Sequence, residues 1–361
     1  MSNNKTKSEN PKPKSQEQEK KGKKMASYKE FVDWHVDRIY HRPYPGRAHD
    51  YMDFPIVWDR SCPLIERLHY IFKAYIKELK EFDERNQKER QSCKEICESI
   101  LWIIAKTMNL TRRVGSNVTK CNTNDAFDKI FDILYKYGLK KNIINLSKEK
   151  DTLYRLRSQK YLLKREDFYH IPFDELYLSN SERFSAMGHP CLYLGYSEED
   201  CLIELEQKKG TIAEYHIRKN LDATNQINVL DLTLPTFEKQ KDSTIMFLVW
   251  PLLAACYVAV PRPETIHVNF KEEYVFPQQL TRYLLEKEDV DGIRYYSCRN
   301  RLLDPTIKDY MNLVLFSEMP IKEDFYSLDS IPTLTSRYDN NLMKVFEIKN
   351  IHTVDYEKSE S

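Results

Sequence analysis

Between Ile245 and Val260 the chain runs sixteen apolar residues without a charge, with Trp250 and Pro251 in the middle. A bilayer crossing needs roughly twenty apolar residues, and a central proline interrupts the helix that would make it. The run must therefore be covered by protein on all sides, which predicts a buried helix beneath a sheet. Such a helix needs a large core, and 361 residues of which 41% are hydrophobic can supply one.

Charge excludes some classes of function. Lys and Arg total 56 against 55 Asp and Glu, so no net field draws the whole molecule to nucleic acid or to a membrane surface. The eight cysteines (62, 93, 97, 121, 191, 201, 256 and 298) contain no Cys-x-x-Cys pair, and no apolar signal segment precedes them. Free thiols in a reducing, cytoplasmic setting are the expectation. Cys93 and Cys97 would share a helix face, but His170, His189 and His216 offer no matching second pair of ligands, so no metal is expected.

Patterning divides the chain into four parts. Residues 1–25, with eight Lys and three Glu, cannot repay their ordering entropy and read as a disordered Lys-rich tail. Residues 26–145 read as a helical N-terminal domain. Leu64, Leu68, Ile71, Phe72, Tyr75, Ile76 and Leu79 mark a first amphipathic helix that becomes charged towards Arg90. A second helix is expected from about Ser92 to Met108, and a third opens at Asn122 to Asp125 and closes at Gly138. Residues 146–345 turn to short strand-like runs: Cys191–Tyr196, Thr211–Ile217, Ile227–Leu234, Thr265–Phe270, Gly292–Ser297 and Met311–Phe316. The class is α+β, and residues 346–361 read as a tail.

Three segments of the second part carry residues that could do chemistry. Arg155 and Arg157 alternate in an extended run, which puts two guanidiniums on one face, suited to a diphosphate or to paired carboxylates. Arg183-Phe184-Ser185 leads through turn residues into the strand Cys191–Tyr196. Ser197 then reads as a helix N-cap with Asp200 at the third position, and Glu204 lies further along between Ile203 and Leu205. A carboxylate facing a sheet there is expensive unless it meets a cation or reacts. Finally, Asp291–Cys298 is a turn and strand ending in small polar residues, where Ser297 could reach a cleft. No Gly-x-Ser-x-Gly elbow surrounds that serine, which argues against serine-hydrolase chemistry.

These blocks, together with Gly188–Leu194, Trp250–Cys256, Tyr274–Leu280 and Asp291–Ser297 in that order, resemble the RES-domain family over about residues 150–320. Many members of that family are toxins of bacterial toxin–antitoxin pairs, and characterised ones degrade NAD by glycohydrolysis or phosphorolysis. The resemblance implies an ADP-ribosyltransferase-like fold, with small twisted sheets around a cleft. It places the family's catalytic Arg, Glu and Ser on Arg183, Glu204 and Ser297, and its strand tyrosine on Tyr193. The earlier pocket arginine falls on Arg155 or Arg157, with Arg155 preferred because an aromatic residue precedes it. Small members carry Gly-Arg-Trp-Asn where this chain has Glu182-Arg183-Phe184-Ser185, so Ser185 would meet the ligand with a hydroxyl in place of an amide.

The expected function is therefore an NAD-degrading enzyme, glycohydrolase or phosphorylase, acting as a toxin or defence effector. NAD is its substrate, inorganic phosphate a possible co-substrate and an antitoxin protein a possible partner; neither a membrane nor nucleic acid is expected. Two alternatives share the pocket: ADP-ribosyl transfer to a macromolecular acceptor, and nucleotide binding without turnover.

Overall fold

The computed structural model describes residues 54–82, 87–108, 122–149, 151–158, 163–186, 188–218, 226–233, 244–261, 270–287, 289–299, 310–319 and 336–355. The Lys-rich tail and most of the expected strand Thr265–Phe270 lie outside the described residues.

Strand β1 (Ile56–Val57) leads into three helices: α1 (Leu64–Phe82), α2 (Gln87–Thr107) and α3 (Thr123–Lys136). Helix α2 begins five residues before the expected Ser92, because polar Gln87–Gln91 continues the helix beyond its apolar stripe. Asn122 caps α3 in a reciprocal box: its side chain accepts from Asn124 N, and its own N–H donates to Asp125 at 2.9 Å. Gly138 follows with φ 104°, the left-handed turn that lets the helix end.

The strands are β2 (Ile143–Asn145), β3 (Leu153–Arg157), β4 (Cys191–Gly195), β5 (Lys209–Ile217), β6 (Asn228–Asp231), β7 (Val258–Ala259), β8 (Gly292–Tyr296), β9 (Met311–Phe316) and β10 (Phe346–Asp355). Between them lie α4 (Glu198–Glu204), α5 (Thr244–Cys256), α6 (Val275–Lys287) and α7 (Asn340–Val345). Eight strands form one sheet in the order β10-β5-β3-β4-β9-β8-β6-β2, and β1 pairs with β7. Among the described strands of this sheet only β6 and β8 run parallel.

One junction positions the site. Strands β3 and β4 pair only at Tyr154 and Gly195, so the sheet parts there into a three-stranded and a five-stranded half. Residues of both strands line a cavity at this junction. Gly195 suits the junction because a Cβ there would lie 2.8 Å from Cys201 Sγ, on the helix that folds back over the strand.

The apolar run is the buried helix α5, followed by β7; its residues from Ile245 to Cys256 are all buried. Pro251 removes the N–H that would bond the carbonyl of Phe247 four residues back. Tyr75 Oη of α1 donates to that carbonyl at 3.0 Å, and the Tyr75 ring stacks on Trp250 at 4.1 Å between centroids. Helices α1, α2 and α3 thus share one continuous hydrophobic cluster with α5, α6, β8 and β9.

The C-terminal segment departs from expectation. Residues 346–355, read as tail, form β10, which pairs antiparallel with β5 along its length. A register shift between Ile348 and Asn350 breaks its alternation, which hides the strand from a period-two reading.

Candidate active site

Helix α4 sets the carboxylate. Ser197 Oγ accepts from Asp200 N at 3.0 Å and starts the helix directly after β4. Seven residues on, Glu204 closes the helix half-buried, with Ser297 Oγ donating to its Oε2. Ser297 is fully buried just after β8, and its backbone N–H bonds Tyr310 O at 3.0 Å, so the hydroxyl is held against the carboxylate. Arg299 Nη1 donates to the Glu204 carbonyl at 3.1 Å and pairs with Glu206, fastening the end of α4 to the same post-β8 turn.

Asp200 is also buried within α4, at 2% exposure, and burial pushes its pKa up to about 6. A carboxyl raised in this way stabilises the fold fully below about pH 4, and that contribution is lost as pH rises through about 6. Asp200→Asn is therefore expected to raise the Tm by roughly 2 °C or more at pH 7.5 and to leave it unchanged near pH 4, measured by thermal scans at both values.

Arg183 sits in a tight turn in which Glu182 and Ser185 exchange backbone hydrogen bonds. Helix α6 grips this turn: Gln278 Nε2 donates to the carbonyls of Glu182 at 2.8 Å and Ser185 at 3.2 Å, and Thr281 Oγ1 to that of Phe184 at 2.9 Å. The guanidinium donates to the carbonyls of Cys256 and Val258, both at 2.9 Å, and lies 5.0 Å from the centroid of the Tyr274 ring. Among the described residues it forms no ion pair, and it feels the charge of Glu204. Tyr193 works as a strut: its hydroxyl donates to Ser185 Oγ at 3.2 Å and accepts from Phe184 N at 3.2 Å. That hydroxyl is engaged with the turn.

The two strand arginines separate in role. Arg157 gives Nε and Nη2 to the carbonyls of Asp167 and Tyr169, at 2.8 and 3.1 Å, and so anchors the segment after β3. Arg155 makes one described bond, Nη1 to Tyr193 O at 3.2 Å, and no ion pair with a described residue. Burial, and after it the like charge of Arg157, bring the Arg155 pKa down to about 9. The cation is thus held at a cost that a bound anion would remove.

Arg155, Arg157, Arg183, Ser185, Tyr193 and Glu204 line one cavity of about 490 Å³, and Ser297 stands behind Glu204. Lys271, Tyr274, Tyr295, Arg299 and Asn312 line it too. Sequence reasoning gave none of these a role, although Tyr274 and Tyr295 lie in blocks that carried the family resemblance. Away from the cavity carboxylate, at the first residue of α4, Glu198, Glu214 and His352 bring ligand atoms within 4.8 Å of one another. His352 Nε2 lies 2.9 Å from Glu198 and Nδ1 3.3 Å from Asn350 Nδ2, so both ring nitrogens have partners already.

Comparison with known proteins matches residues 152–327 to the RES domain family. A protein of Bacillus subtilis (strain 168) described as "Putative toxin YopC" is 30% identical over 184 residues, which cover 45% of this chain and 40% of that protein. The chain thus spans well under half the length of this curated relative. No solved structure matches. Residues 152–327 thus match the RES domain, preceded here by a helical region that shares its core, and part of the chain is similar to a bacterial protein described as a putative toxin.

Proposed function

We propose that this protein cleaves the bond between nicotinamide and ribose in NAD and acts as a toxin or defence effector. The observation that carries the reading is a carboxylate, Glu204, steered by a buried hydroxyl, Ser297, in the same cavity as two guanidiniums without described carboxylate partners. An elongated substrate with anionic middle and electrophilic sugar fits that pairing. The cavity volume of about 490 Å³ falls in the range of ligand sites, about 300–1,000 Å³.

In this mechanism Arg155 and Arg183 take the diphosphate by charged hydrogen bonds. As the bond from the anomeric carbon to the ring nitrogen breaks, its electron pair leaves with nicotinamide, which departs neutral and needs no metal. Positive charge grows on the ribose, and Glu204, oriented by Ser297, stabilises it. Water then adds and loses a proton, giving ADP-ribose, or phosphate adds and gives the 1-phosphate. Arg157 and Tyr193 hold the walls, and Ser185 receives the Tyr193 hydroxyl. An antitoxin covering the cleft is the partner this reading implies.

Chromatography of products after incubation with NAD, once with phosphate and once without, tests the proposal. Free nicotinamide should appear in equal amount to ADP-ribose or its 1-phosphate. Nicotinamide release with the ADP-ribosyl group on a macromolecule would move the assignment to a transferase, and binding without release would make the protein a nucleotide binder.

A further inference from the structure

Asn312 occupies an uneconomical position for its chemistry. It lies on β9 in the middle of the sheet, directly across from Gly195 on one side and Tyr295 on the other. The residue is 5% exposed, and its Nδ2 has no hydrogen-bond partner among the described residues. A buried donor left without an acceptor destabilises a fold, and native structures keep few of them. Gly195 offers no side chain to satisfy it. The Tyr295 ring is engaged with Phe184, 4.7 Å away between centroids. What remains in front of the amide is the cavity, which Asn312 lines together with both of these neighbours.

The neighbourhood indicates what the amide meets. Tyr295 lies near the end of β8, two residues before Ser297, so Asn312 sits across from the strand that leads to the Ser297–Glu204 pair. The guanidiniums that suit phosphates and the carboxylate that suits the sugar are already provided. Beside Asn312 the wall is an aromatic ring and a glycine backbone, a flat surface suited to a planar ring. A primary amide is self-complementary: whichever way it is turned, it can pair with another carboxamide.

We infer that Asn312 is a specificity residue whose side-chain amide pairs with the carboxamide of the nicotinamide ring. This rests on the NAD-cleaving reading and extends it to recognition of the leaving group. A site built around a buried hydrogen bond rejects a ligand that lacks the partner, because the buried group is left unpaired.

The test measures equilibrium binding by calorimetry in the full chain carrying Glu204→Gln, with and without Asn312→Leu. The ligands are NAD, an NAD analogue whose pyridinium ring lacks the carboxamide, and ADP-ribose. Asn312→Leu should weaken NAD on the order of 10- to 100-fold while leaving the analogue and ADP-ribose unchanged. It should also hold or raise the Tm, since it removes an unpaired buried donor. Asn312→Ala should weaken NAD in the same way, which guards against misfolding by the larger leucine. Unchanged NAD affinity, an equal loss for ADP-ribose, or a marked fall in Tm in both variants would overturn the inference. Absence of NAD binding by the Glu204→Gln parent would instead overturn the functional reading and this inference with it.

Discussion

Replacing Glu204 with glutamine is expected to lower NAD turnover on the order of 10²- to 10⁴-fold, with little change in substrate affinity or in Tm. The carboxylate ends α4 half-buried and carries no described ion pair whose loss would unfold the protein. Its local partner, the Ser297 hydroxyl, can donate equally well to an amide oxygen. What glutamine cannot supply, in the proposed mechanism, is the negative charge opposite the sugar carbon as nicotinamide leaves. Release of nicotinamide by purified wild type and variant, at saturating NAD, measures the effect. Equal rates would remove Glu204 from the chemistry.

Arg294→Met should cost about 3–5 kcal/mol of unfolding free energy, because it strips a cationic partner from a buried carboxylate. Arg294 reaches from β8 to Asp231, its register partner on β6, and gives Nη1 to both oxygens of Glu149 at 3.0 and 2.9 Å. Asp231 is fully buried and accepts two further bonds from Thr233, at 2.8 and 2.6 Å. Burial works against the Arg294 charge, but Asp231 and Tyr196 outweigh it and raise the pKa. With methionine in place, Asp231 loses the guanidinium that meets its Oδ2 while staying buried. Urea denaturation at pH 7.5 should show the loss, and adding Asp231→Asn should recover part of it. A variant as stable as wild type would show that the carboxylate is satisfied without the guanidinium.

Much of the scaffold is visible in local pattern, because local pattern is what sets it. The stripe from Leu64 to Leu79, the Asn122–Asp125 capping box, the Ser197 cap and the run Met311–Phe316 each contain their own instructions within a few residues. Strand β10 does not: Glu347, Lys349, Asn350 and His352 occupy a sheet edge, and the bulge shifts which positions face inward. The site is harder still. Ser297 and Glu204 are 93 positions apart, and in the supporting scaffold Arg294 and Glu149 are 145 apart. No window of sequence holds both members of either pair. Family resemblance pointed to the first pair, whereas the second was invisible until the strands were laid side by side. The carbonyls that hold Arg183 belong to the same case, since Cys256 and Val258 read only as members of an apolar run.

The aromatic lock between Tyr75 and Trp250 has a practical corollary for anyone cutting the chain at the limits of its recognisable homology. A fragment of residues 152–327 would begin after β2 and stop before β10, which are the two outermost strands of the sheet. It would also leave the Trp250 face of α5 bare to water, and with it the Phe247 carbonyl that Pro251 leaves open. The inherited motif is thus smaller than the body that covers its apolar faces and holds it in shape.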